Sequence, residues 1–296
     1  MAEKIKVSKE GIEIAYRRFL SDSGAGFIIL LILILAYYYP VLGIPLKNTH
    51  LSEMFYPLPP ELIIFICILL FVLASPLGLA TNALSYFIFY SLTLRLEEYC
   101  YDSNSLFIKP TKEIYHFEEL KSFFRLKKDQ WYENAFEIEM VMETHHPELM
   151  EPISWLKGTH IFFRNVAILS LPLFLGSLYI SSAKLLSSSA SIISIIGILL
   201  MLASLSTFLF LLLKSKIELC IILATFIPII VSLFIAIFKL QYWMFMPFLY
   251  SAMFGLMFCL NVLTAFFYSC VVLSRAYMLN GGGLTKGIKY LAKYVE

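Results

Sequence analysis

Six long apolar stretches divide the chain, and its polar residues are concentrated between them. A helix that crosses a bilayer needs about 20 mostly apolar residues. The stretches that approach or exceed this length lie at residues 25–44, 62–94, 162–181, 190–213, 217–238 and 243–273. The pattern therefore predicts an all-α integral membrane protein with a six-helix transmembrane bundle.

The second stretch, residues 62–94, is longer than one crossing requires. It corresponds to roughly 50 Å of helix, against about 30 Å of hydrocarbon. Pro76 lies inside it, and two structures fit this pattern. One is a single kinked helix whose end projects from the membrane, and the other is a pair of re-entrant segments that meet at residues 75–78.

Between the second and third stretches lies the largest polar region, and it also contains apolar residues at helical spacing. Residues 106–108, followed by Pro110, predict a short extended piece and a turn. Residues 116–127 and 130–144 predict two helices. Their apolar stripes are Phe117, Leu120, Phe123 and Phe124 in the first, and Trp131, Ala135, Ile138 and Met142 in the second.

Pro147 should end the second of these helices, because proline cannot continue the backbone ladder. A third helix that starts between Glu148 and Gly158 should continue into the third span. We therefore predict a small helical cytoplasmic cap between spans 2 and 3.

Basic residues indicate the orientation of the spans. Of the 23 Lys and Arg residues, only Lys47, Lys184 and Lys239 fall on the side opposite the N-terminus. Cytoplasmic loops carry the excess of positive charge. Both termini are therefore predicted to be cytoplasmic, in a plasma or cytoplasmic membrane.

This orientation divides the chain into five parts. They are a cytoplasmic segment (1–24), spans 1 and 2 (25–94), the helical cytoplasmic insert (95–161), spans 3 to 6 (162–273) and a cytoplasmic tail (274–296). The tail has a glycine hinge at Gly281, Gly282 and Gly283, followed by an amphipathic helix.

Composition agrees with a membrane protein and limits the partners. Hydrophobic residues make up 59% of the chain and charged residues 15%, with a mean hydropathy of +0.79. The net charge of +2 gives no basic excess to bind nucleic acid. The expected partners are membrane lipids, together with other membrane proteins or further copies of this chain.

The residue types that bind zinc or iron are grouped at His145, His146, Glu148 and His160. Adjacent histidines on a helix point about 100° apart, so the pair is poorly suited to one ion. The alternative is a polar turn near the membrane surface. These residues are candidates for a metal site, but no cofactor is predicted.

Three polar residues lie within or beside the predicted spans. Asn82 and Asn261 can hydrogen-bond across helices, or they can face a solute. Arg164 can extend to the headgroups, or it can pair inside the bundle.

The sequence contains no phosphate-binding G-x-x-x-x-G-K-[ST] motif and no G-x-S-x-G motif. It therefore favours a non-enzymatic role, as a non-catalytic membrane subunit or scaffold of a larger complex. One alternative is a transporter or channel for a neutral or apolar solute. A second is a membrane-surface metalloenzyme that uses the histidine group.

Overall fold

A computed structural model describes residues 23–24, 26–28, 30, 59–146, 150–187, 192–238 and 245–281. Within these ranges the chain is helical and contains no strand. Eight helices are named there: α1 (Pro60–Asp102), α2 (Lys109–Ile114), α3 (Phe117–Phe124), α4 (Trp131–His145), α5 (Glu151–Ser187), α6 (Ile192–Leu213), α7 (Ile217–Phe238) and α8 (Met246–Gly281).

Three of these helices are long and apolar enough to cross a membrane. The spans are Ile64–Ile88 in α1, Ile153–Tyr179 in α5 and Met246–Leu279 in α8. Two shorter apolar segments lie between α5 and α8 in the chain, namely Gly197–Leu213 in α6 and Ile217–Leu233 in α7. The described part of the chain is thus all-helical, and the protein is membrane-associated. Most of the predicted first span and all of the tail after Gly281 lie outside the described residues.

Helix α1 resolves the choice between one long helix and a re-entrant pair. It runs without interruption for 43 residues, with Pro76 inside it. Neighbouring structure can compensate for the hydrogen bond that an intrahelical proline removes in a membrane helix. The re-entrant alternative is therefore wrong.

The chain divides into two compact units, Met1–Phe87 and Ile88–Glu296. In the first unit, Gly26 lies directly against the backbone of α1. A β-carbon on Gly26 would overlap the Ala74 carbonyl and lie 2.8 Å from the Gly78 nitrogen. Small residues allow such close helix contacts in membranes.

In the second unit, α8 is the central helix. It packs most extensively against α5 and also contacts α6 and α7, as well as the three short helices α2, α3 and α4. A helix surrounded in this way must be apolar on most of its circumference. Its fully buried rings include Phe254, Phe258, Phe266 and Tyr268.

The apolar stripes of the short helices form part of this core. All four stripe residues of α4 are at most 1% exposed. Phe117 of α3 makes edge contacts with Trp131 at 6.1 Å and with Phe266 of α8 at 5.4 Å between ring centroids. The stripe predictions are confirmed except at Phe123, which is partly exposed beside Tyr277.

Two of the three helix boundaries predicted in this region agree with the structure. Helix α4 ends at His145, just before the predicted stop at Pro147, and α5 begins at Glu151 and continues into its span. The extended piece at 106–108 is wrong, since these residues form a turn and α2 begins at Lys109. Pro110 lies in the first turn of α2, where its missing N–H removes no intrahelical bond.

Close packing also joins α8 to α6. The Ser204 and Ser251 hydroxyls lie 2.9 Å apart. Gly255 lies directly beneath the Phe208 ring, so that a β-carbon there would come within 2.5 Å of the ring. Gly255 therefore determines how closely these helices approach.

Replacing Gly255 with alanine is expected to destabilise the protein by about 1–3 kcal/mol, because the methyl group forces the Phe208 ring to move. Thermal unfolding in detergent measures the change. The matched control is Gly176→Ala in α5, where a β-carbon meets no atom within 4 Å. Alanine should be neutral there, or stabilising by up to about 1 kcal/mol. Equal losses at both positions would contradict the packing assignment.

Candidate functional site

The main candidate site is centred on the Glu139 side chain of α4, which is 0% exposed. One oxygen, Oε2, accepts two hydrogen bonds. Lys157 of α5 donates from Nζ at 2.5 Å, and Tyr268 of α8 donates from its hydroxyl at 2.5 Å. One carboxylate therefore joins three helices.

Helix geometry explains how Glu139 becomes buried. Glu139 lies about 70° around α4 from the centre of the apolar stripe, at the edge of the packed face. Tyr132, seven residues earlier, lies on the same edge. When the stripe packs against α8, this edge is enclosed as well.

A second polar contact lies beside the first and is centred on His160 of α5, which is buried. Its Nδ1 lies 3.2 Å from Oδ1 of Asn261 in α8. Since an amide oxygen only accepts, Nδ1 carries the hydrogen in this contact. The Tyr132 hydroxyl lies 3.2 Å from Nε2. A neutral imidazole satisfies both contacts when Nε2 accepts from this hydroxyl.

The His160 ring also stacks on Tyr268, with centroids 5.9 Å apart and planes 26° from parallel. Tyr268 therefore contacts both His160 and Glu139. We call these residues the polar cluster: Tyr132, Glu139, Lys157, His160, Asn261 and Tyr268.

The other carboxylate oxygen, Oε1 of Glu139, is buried and accepts no hydrogen bond from the described part of the chain. An isolated buried charge is costly, and a close ammonium offsets much of that cost. The Lys157 ammonium also lies 4.5 Å from the Phe136 ring centroid. Chemically, the cluster can hold an ion pair and a neutral imidazole away from water.

Two of the residues singled out in the sequence meet in the polar cluster, namely His160 and Asn261. Arg164 lies one turn after His160 on α5 and is half-buried. Asn82 belongs to the other unit, where its backbone carbonyl accepts from the Ser85 hydroxyl at 2.8 Å.

The other metal candidates do not form a site within the described residues. His145 is exposed at the end of α4, His146 is half-buried, and Glu148 lies outside the described residues. Across the part of the chain that the structure describes, no three His, Cys, Asp or Glu side chains are grouped to hold a metal ion.

Sequence reasoning missed Tyr132, Glu139, Lys157 and Tyr268. The only available signal was spacing: Tyr132 and Glu139 are seven residues apart, as are Asn261 and Tyr268. Such spacing places each pair on one helix face. It does not distinguish a solvated Glu from a buried one.

A separate buried lysine, Lys112 of α2, holds the end of α1. Its ammonium donates to the Tyr101 carbonyl at 2.7 Å and to the Ser103 carbonyl at 2.6 Å. Cations are favourable near the last carbonyls of a helix. Burial lowers the pKa of Lys112 from its ordinary value. These contacts fix the short helices to the end of α1.

Comparisons with protein-family models, with curated proteins and with solved structures found no match to this chain.

Removing either charge of the Glu139–Lys157 pair should destabilise the protein strongly. We expect Glu139→Leu or Lys157→Met to cost about 3–5 kcal/mol each, because each change leaves the other charge buried alone. The double variant should lose much less than the sum of the two. Thermal unfolding of all four proteins in detergent gives this double-mutant cycle.

The matched control is the Glu118–Lys121 pair of α3, with oxygen and nitrogen 2.9 Å apart and the Glu118 side chain 73% exposed. Glu118→Gln should change stability by less than about 1 kcal/mol, since solvent screens this pair. Additive losses at Glu139 and Lys157 would show that the two side chains are not coupled.

Proposed function

We propose that this protein is a non-catalytic integral membrane subunit or scaffold of a larger membrane complex. In this proposal a six-helix bundle crosses the membrane, and α2, α3 and α4 form a helical cytoplasmic cap. The observation that carries the proposal is the Glu139 carboxylate of α4, bound by Lys157 of α5 and Tyr268 of α8.

These contacts support a cap that is rigidly held on the bundle. The two partners of Glu139 come from different membrane helices, so α4 cannot turn or slide without separating a buried ion pair. Such a separation leaves uncompensated charge in an apolar environment. A rigid attachment suits a protein that presents a fixed surface to a partner.

The proposed orientation follows the basic residues. The cap, both termini and the turn at Lys214 and Lys216 are placed on the cytoplasmic side, in a plasma or cytoplasmic membrane. Within this frame, the polar cluster lies near the cytoplasmic ends of α5 and α8. At that depth a charged pair costs less than at the bilayer centre.

The surface proposed for the partner is the outer face of α4. Phe136 and Met140 are 39% and 53% exposed there, one helical turn apart. They lie largely opposite the buried stripe of the same helix. Exposed apolar side chains of this kind are typical of protein contact sites. Nearby Glu133 and Glu137 are also exposed, which favours a partner with basic residues.

A second candidate function is transport of a neutral solute. The observation that favours it is the buried contact between His160 and Asn261, since both residues lie within segments apolar enough to span the membrane. Polar side chains at such positions often mark a solute path. Asn82, in the other unit, was singled out for the same reason.

The test of the subunit proposal is native purification in mild detergent, followed by mass spectrometry of everything that stays bound. A protein partner at fixed ratio is expected. Changing Phe136 and Met140 together to serine should remove most of that partner. Met140→Ser alone keeps the Phe136 ring beside Lys157, so it should weaken partner retention and leave thermal stability unchanged. Asn82→Leu should have no effect on partner retention.

Two results would contradict the subunit proposal. One is a chain that purifies alone with bound solute and loses that solute in Asn261→Leu, which would support transport. The other is a partner retained fully by the Phe136→Ser and Met140→Ser protein, which would exclude the outer face of α4. A matched variant, Glu118→Gln with Glu119→Gln on α3, controls for general changes in surface polarity.

A further inference from the structure

The turn before α2 exposes two large apolar side chains. Leu106 is 77% exposed and Phe107 is 40% exposed, whereas the next residue, Ile108, is buried. In a polar connection, exposed leucine and phenylalanine side chains are unfavourable in water. Packing against the buried core therefore does not explain why Leu106 and Phe107 are apolar.

Hydrogen bonds hold the turn firmly in place. The Leu106 N–H donates to Oε1 of Glu218, in the first turn of α7, at 2.5 Å. The Lys109 N–H donates to the Ser105 carbonyl at 2.8 Å. Leu106 and Phe107 thus project from a fixed position beside the start of α7.

Exposed apolar side chains also lie on the neighbouring ends of α6 and α7. Leu213 at the end of α6, and Leu219 and Ile222 at the start of α7, are all exposed large hydrophobic residues. In a membrane protein, such side chains on apolar helices face lipid tails. The apolar surface of the turn therefore lies where that lipid-facing surface ends.

Two positive charges lie in the connection between α6 and α7, beside these exposed apolar side chains. Lys214 and Lys216 are exposed in the tight turn between α6 and α7, within four residues of Glu218. Ser215 between them has φ 55°, and the Lys216 N–H donates to the Leu211 carbonyl at 2.8 Å, which closes this turn. The two lysines are thus held at the end of the lipid-facing surface.

We propose that Leu106, Phe107, Lys214 and Lys216 form a leaflet contact that binds an anionic phospholipid. The apolar pair enters the region between headgroups and acyl chains, and the lysines bind the headgroup phosphate. This inference rests on the six-span arrangement proposed above, which places α6 and α7 in the bilayer.

The charges around the contact agree with an anionic ligand. The Glu218 carboxylate accepts from the Leu106 N–H, and Glu113 pairs with Lys109 at 3.7 Å. Both acidic groups are therefore engaged locally, while Lys214 and Lys216 extend from the turn. Apolar side chains combined with basic ones are the usual basis of binding to an anionic leaflet.

The first test measures whether the turn lies in lipid. A nitroxide is attached to Leu106→Cys or Phe107→Cys in a Cys67→Ser chain, because the other four cysteines are buried. In reconstituted vesicles, both labels should be more accessible to oxygen than to a water-soluble nickel chelate. Phe226→Cys on α7 is the lipid reference, and Glu133→Cys on α4 is the water reference.

This design separates the two proposals. If the Phe226 label is in water, the six-span arrangement is wrong and the leaflet contact is wrong with it. If the Phe226 label is in lipid but the Leu106 and Phe107 labels are in water, only the leaflet contact is overturned.

The second test measures selectivity for the headgroup. In vesicles of phosphatidylcholine with added phosphatidylglycerol, native mass spectrometry should show phosphatidylglycerol retained preferentially. Lys214→Gln with Lys216→Gln should reduce this retention by about five-fold per lysine removed. Lys214→Arg with Lys216→Arg preserves the charge and should preserve retention. Equal retention in the glutamine and arginine variants would overturn the assignment.

Discussion

The arrangement of the second unit depends on one constraint: a carboxylate without access to water must have donors. Glu139 is fully buried, and its donors, Lys157 and Tyr268, belong to α5 and α8. Each of these helices must therefore extend far enough, and lie at the right rotation, to bring its donor to the same oxygen. The constraint explains why α5 begins well before its most apolar part and why α8 continues alongside α4.

Apolar packing acts together with this polar contact. Phe117, Trp131 and Phe266 pack edge to face beside the polar cluster, with centroids 5.4–6.1 Å apart. Burial of such large rings contributes favourably to the free energy of folding, in proportion to the apolar area that is removed from water. The polar cluster adds specificity of position, since an ion pair tolerates less displacement than a layer of rings does. The proposed function as a subunit or scaffold depends on this fixed position.

The apolar helices illustrate why apolar character alone does not tell whether a side chain lies inside the protein or on its surface. Helices α7 and α8 are both strongly apolar, yet α8 is largely enclosed by other helices and α7 exposes residues such as Phe226 and Ile229. Lipid tails and protein interiors accept the same side chains. Glycine alone does not separate them either. At Gly255 the Phe208 ring occupies the space that a side chain would need, whereas a β-carbon at Gly176 meets no atom within 4 Å.

The sequence by itself determined the features that depend on neighbours along the chain. These are the all-helical membrane class, the stripes of α3 and α4 apart from Phe123, and the end of α4 before Pro147. The structure was needed to show that the stretch around Pro76 is one continuous helix. Only the tertiary structure decided that Glu139, on the edge of an amphipathic helix, is buried. Its partners are 18 and 129 residues away. Local periodicity gives the face of a helix on which a residue lies, but it does not determine which distant helix covers that face.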